Sequence, residues 1–105
     1  PGHLSICGEP IDMALDIVRE YLSVLAFKDF IHERTVRDGE MTWDKTVRKL
    51  GWGLVDWKTT LSTLQSMGFS GAVSIHSEYS EPTETVIDLA RTDMRFVREL
   101  LDDIG

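Results

Sequence analysis

Gly68-Phe69-Ser70-Gly71-Ala72-Val73-Ser74-Ile75-His76-Ser77-Glu78-Tyr79 reads as a helix stop, a short turn, a β-branched strand, and then a histidine and a carboxylate where the strand runs out. Parallel α/β proteins build their sites at the carboxyl ends of their strands, where the chain releases polar groups. His76 and Glu78 are therefore the first candidate functional residues. They stand two apart, so a regular strand would turn both to the same side.

The flanking residues supply the helices that such a strand needs. Asp56 is suited to cap a helix over Trp57 to Met67, whose Trp57, Leu61 and Leu64 share one face, and Gly68 is suited to stop it. Downstream, Ser80 or Thr83 can cap a long helix in which Val86, Ala90, Met94, Val97, Leu101 and Ile104 keep helical spacing. Further upstream, Ser23 to Phe27 is a short apolar run without alternation, as in a parallel strand covered on both faces, and it ends in Lys28 and Asp29. Pro10 opens a helical pattern that reaches Tyr21, carried by Ile11, Ala14, Leu15 and Val18. Residues 1–9 read as a loop or as the end of a strand. Residues 30–53 read as a long polar loop, with a short helical turn over Trp43 to Leu50.

Strands that alternate with helices argue for parallel pairing and right-handed crossovers. The expected fold class is α/β, with parallel strands and flanking helices in about three βα units. So few parallel strands leave two open edges and ask for closure. The 105 residues are thus expected to be a single partial domain, a slice of an eight-unit TIM barrel.

Composition narrows the function. Hydrophobic residues make up 42% and charged residues 28%, which excludes wholesale disorder. The formal net charge of -7 argues against a nucleic-acid partner, which needs a basic face. No run approaches the ~20 apolar residues of a membrane helix, and no segment reads as a signal peptide. The single cysteine, Cys7, excludes an internal disulfide and fits a reducing, cytoplasmic setting. Cys7 has no base beside it in sequence and reads as an unreactive small residue.

Leu50-Gly51-Trp52-Gly53-Leu54-Val55-Asp56-Trp57, then Gly68-Phe69-Ser70-Gly71 and Ser74-Ile75-His76-Ser77-Glu78-Tyr79, resemble in order and spacing the C-terminal part of sugar-phosphate isomerase/epimerase proteins of the xylose-isomerase-like TIM barrel family. Lys28-Asp29 resembles the Lys-Asp that ends the family's seventh strand. Pro1-Gly2-His3 resembles the tail of an Asp-Pro-Gly-His segment after its sixth. The resemblance spans nearly the whole chain and covers the last three βα units of the barrel.

It implies a metal-assisted aldose–ketose isomerisation or an epimerisation of a sugar or sugar phosphate. A divalent ion (Mn, Mg, Co or Zn) would polarise the oxygens of an open-chain sugar while acidic groups move a proton between neighbouring carbons. Carried onto this sequence, Glu78, Lys28 and Asp29 are the catalytic candidates. His3 and Trp52 are the substrate-binding candidates, and His76 and Glu78 the metal candidates. The family's strand-seven histidine position is Ala26 here, and its aspartate would immediately precede Pro1. An Asp-Pro bond there would be fragile, and cleavage at it is the expected origin of this chain. The 105 residues alone are expected to be inactive.

The different-class alternative is a non-catalytic α/β piece whose copies associate through open sheet edges. Both readings expect either a homo-oligomer or the remainder of a barrel as partner. Several residues also have plain structural readings: Asp56 as a cap, Trp57 as core, and residues 32–40 as a solvated stretch.

Overall fold

The computed structural model describes residues 1–104. Its elements run α1 (Gly2–Ile6), α2 (Ile11–Val18) with a tight 3-10 turn over Arg19–Tyr21, β1 (Val24–Phe27), β2 (Asp29–Arg37), β3 (Glu40–Arg48), α3 (Trp57–Ser66), β4 (Ala72–Ile75) and α4 (Thr83–Ile104). Among the described residues the fold is α/β with a small parallel sheet and no closed barrel.

β1 and β4 pair in parallel, with Val24 opposite Ala72 and Phe27 opposite Ile75. The pairing continues one step past β4, where His76 N donates to Phe27 O at 3.1 Å. Both segments therefore end on one carboxyl rim. The core lies against one face of this sheet. Leu25 and Phe27 enter it and meet Leu15 of α2, Trp57, Leu61 and Leu64 of α3 and Val97 of α4. Phe27 is fully buried and its ring lies 4.7 Å, centroid to centroid, from that of Trp57.

The apolar run over residues 23–27 suggested a strand covered on both faces, and the structure corrects this. Exposure alternates along β1, so Val24 and Ala26 face away from the core together with Ala72 and Ser74. Three of those four side chains are small, so baring that face exposes little apolar area. The signal of a half-covered strand is correspondingly weak.

Two further expectations are corrected. Residues 1–9 hold a short helix, α1, rather than a loop or a strand end. Residues 30–53 are largely ordered as the antiparallel hairpin β2–β3, paired from Asp29–Arg48 to Arg37–Glu40. No helical turn occupies Trp43 to Leu50. The hairpin closes on Asp38-Gly39, both at positive φ (53° and 78°), as a two-residue turn matched to strand twist requires. Polar residues occupy both of its faces, so the period-two apolar pattern is missing. Cross-strand pairs stabilise it instead: Arg34 over the Trp43 ring, Arg37 with Asp44, and Arg48 with Glu33 at 3.3 Å.

The signals that bound α3 hold, whereas α4 begins at Thr83 itself, so neither Ser80 nor Thr83 is shown as its cap. Asp56 caps α3 by accepting from Thr59 N at 3.0 Å, and Gly68 follows α3 at φ 69°. The Thr59 backbone N–H, then its hydroxyl, hold the Asp56 carboxyl below the usual 3.8. Asp56→Ala is expected to lower stability by about 1 kcal/mol in urea unfolding. That difference is present above pH 3.8 and fades as pH falls through the lowered pKa. Among the described residues, no helix is long and apolar enough to cross a membrane.

Candidate functional site

Lys28 leaves the end of β1 and Glu78 follows the end of β4, and the parallel register sets them side by side. Lys28 Nζ donates to Glu78 Oε2 at 2.7 Å, and His76 Nδ1 lies 3.5 Å from Glu78 Oε1. Lys28 is largely buried, at 16% side-chain exposure, while Glu78 remains open at 59%. The Lys28 ammonium, more than any other neighbour, holds the Glu78 carboxyl below its usual 4.5. The rim thus carries an accessible carboxylate kept in its basic form by a sheltered cation.

Asp29 is next in sequence but differently placed. It is fully buried, and its carboxylate accepts five N–H groups. Gly51 N (3.0 Å), Gly53 N (3.2 Å) and Trp57 Nε1 (2.8 Å) reach Oδ2. Val55 N (3.1 Å) and its neighbour Phe30 N (3.0 Å) reach Oδ1. One carboxylate therefore folds the 51–57 segment around itself. Gly53 permits the approach, because a Cβ there would meet Asp29 Oδ1 and lie 2.5 Å from Phe30 O.

The two substrate-binding candidates stand on other elements. Trp52 rides on the segment wrapped around Asp29 and is 70% exposed, with Lys49 Nζ 4.0 Å from its ring centroid. His3 lies on α1 and is exposed, its ring 5.3 Å and edge-on to that of Phe30. The direct contacts join Lys28, Glu78 and His76 only. β4 ends at Ile75, so His76 and Glu78 lie just beyond the strand rather than on it. They meet nonetheless.

The hairpin adds residues that were not legible as site residues. A cleft of about 280 Å³ lies between β3 and the segment after β4, lined by Lys45, Thr46, Arg48, Glu78 and Ser80. It is slightly smaller than ordinary ligand clefts, which run from about 300 Å³ upward. The Asp38-Gly39 pair is a hairpin signal that could have placed Lys45 and Arg48 here.

Tyr79 fixes the loop that carries Glu78. Its hydroxyl donates to Asp93, a fully buried residue of α4 whose other oxygen accepts Leu50 N at 3.0 Å. Burial first, then this bond, raise the Tyr79 phenol well above its usual 10.0. The folded protein thus keeps a proton that the unfolded chain releases, so Tyr79 stabilises below pH 10 and loses that effect as pH rises further. Tyr79→Phe is expected to be about 2 kcal/mol less stable at neutral pH, since Asp93 Oδ2 loses its donor. The variant should also lack part of the wild-type decline above pH 10, as read by urea unfolding at stepped pH.

Among the described residues, no group of three or more His, Cys, Asp or Glu side chains is placed to hold a metal ion. Comparison of the chain with protein-family models, curated proteins and solved structures finds no match.

Proposed function

We propose that this chain forms the carboxyl rim of the closing βα units of a TIM barrel that isomerises or epimerises an open-chain sugar. The observation that carries the reading is the parallel pairing of β1 and β4, which gathers Lys28, His76 and Glu78 on one rim. The xylose-isomerase-like resemblance of the surrounding motifs supports it.

The roles follow from the chemistry. Glu78 is the open, ionised carboxylate that takes the proton from the carbon beside the sugar carbonyl and, for isomerisation, returns it to the carbonyl carbon. Lys28 holds the carbonyl or neighbouring hydroxyl oxygen as charge gathers there. His76 stands on the far side of Glu78 and can pass a proton between oxygens. Trp52 offers an exposed ring for the sugar face, and His3 a further polar contact. Asp29 acts by position: its oxygens are occupied, and it holds the Trp52 segment one residue from Lys28.

As placed, His76 and Glu78 offer a divalent ion two donors, fewer than the four to six such ions take, and Lys28 already lies on one of them. The pair alone does not fit such an ion, and no step is assigned to one. A metal belongs to this reading only where neighbouring barrel strands complete its ligand set.

The test is solvent-deuterium incorporation beside the carbonyl of aldoses, ketoses and their phosphates, followed by NMR in the complete barrel, with each of Mg, Mn, Co and Zn. The wild type should incorporate deuterium with at least one sugar, and Glu78→Gln should slow this about 10²-fold or more. Absence of incorporation with every sugar and metal rejects the reading, as does an unaffected Glu78→Gln.

A further inference from the structure

Both flanks of the helical layer carry apolar side chains that the chain itself does not cover. On the β1 side, Met13, Ile17 and Tyr21 recur four apart along α2 and its terminal turn, and are 61%, 79% and 85% exposed. On the β4 side, Ile87, Met94 and Leu101 recur seven apart along α4 and are 45%, 43% and 50% exposed. That second stripe ends at a groove of about 410 Å³ lined by Leu61, Leu64, Phe69, Val73, Leu101 and Ile104. The groove lies at the amino ends of the strands, away from the rim. β1 and β4 each also have one unpaired edge among the described residues.

Charge distinguishes the two flanks at their middles only, since exposed Asp88 and Asp102 bracket the basic group on α4. Beside the α2 ridge stand Asp12, Asp16 and Glu20, all exposed. Beside the middle of the α4 stripe stand Arg91, Arg95 and Arg98, also exposed. At 1.5 Å per residue the acidic column is about 12 Å long and the basic one about 10 Å. Counting 100° per residue, each column falls on the solvent side of its own stripe, away from the sheet. Their present ion pairs, Arg19 with Asp16 at 3.0 Å and Arg91 with Asp88 at 3.5 Å, are exposed pairs within single helices and are easily exchanged.

We propose that these flanks are the two halves of an interface between copies of this chain. α2 of one copy lies parallel to α4 of the next, and β1 of the first copy continues the sheet beyond β4 of the second. Parallel alignment is dictated by the strands, since α2 leads into β1 and α4 follows β4, both running against the strand direction. In that alignment Ile17 meets the Met94 region and Tyr21 reaches the groove at Leu101 and Ile104. Acidic and basic columns then face each other on the solvent side. The contact is head-to-tail, so it builds a ring or an open polymer rather than a twofold dimer. It would set successive rims side by side. It rests on the open sheet and its flanks and does not depend on the sugar chemistry.

Sedimentation velocity of the 105-residue chain at low salt tests it, with far-UV circular dichroism confirming that each variant is folded. The wild type should run as species heavier than the 11.9 kDa monomer, dissociating as salt rises. Arg95→Glu with Arg98→Glu should weaken association about tenfold or more, as should Asp16→Arg with Glu20→Arg. The four changes together should restore it. A wild type that stays monomeric at every concentration overturns the proposal and leaves the remainder of a longer barrel as the covering partner. Association indifferent to either reversal, or not recovered by the fourfold variant, overturns it equally. Loss of deuterium incorporation with assembly intact would instead count against the enzymatic reading alone.

Discussion

Asp29→Ala is expected to remove most of the folding stability of this chain, by about 4 kcal/mol or more. A domain of this size holds roughly 5–15 kcal/mol in total. The substitution strips the acceptor from five N–H groups, four of them on the segment from Gly51 to Trp57. Each donor left buried and unmatched costs about 1–3 kcal/mol. Water can enter to satisfy some of them only by opening the packing around Trp57, which is 3% exposed. Asp29→Asn should fall between the two. Its amide oxygen can keep the Oδ2 partners, but its NH₂ then faces the donors of Phe30 and Val55. Urea unfolding followed by tryptophan fluorescence reads the order. An alanine variant of wild-type stability would show that Asp29 is not the organising acceptor and would return it to a direct chemical role.

Gly53→Ala should be nearly as damaging, at about 3 kcal/mol, although it adds one methyl group. The new Cβ would collide with Asp29 Oδ1 and sit 2.5 Å from Phe30 O, atoms fixed by buried hydrogen bonds and by the start of β2. The segment must lift away, and the bonds from Gly53 N and Val55 N to Asp29 loosen together. Because both changes act on one network, Asp29→Ala and Gly53→Ala combined should cost clearly less than their sum. Additive losses in thermal or urea unfolding would contradict a shared network.

These expectations also separate two meanings of a polar residue at a strand end. Lys28 and Asp29 are adjacent in sequence and equally plausible as catalytic groups by type. Their backbone positions differ by one residue, which turns one side chain toward the open rim and the other into the protein. Glu78 lies fifty residues beyond Lys28, yet it is the residue that Lys28 touches.

The sequence alone determined the elements whose signals are local. Helical spacing marked α2, α3 and α4; Asp56 and Gly68 marked the ends of α3; two short apolar runs marked β1 and β4. Each depends on neighbours within a turn or two, so its physics is present in the string of residues. The parallel sense of the two strands was also inferable, because a helix lay between them. Tertiary structure decided the rest. The hairpin was masked because charged residues on both faces erase the alternation by which strands are read. The roles of Asp29 and Asp93 rest, Phe30 N apart, on donors 14 to 43 positions away in sequence, which no local pattern encodes. The bare face of the sheet was settled by which helices pack where, since small side chains on a strand carry no mark of the side they occupy.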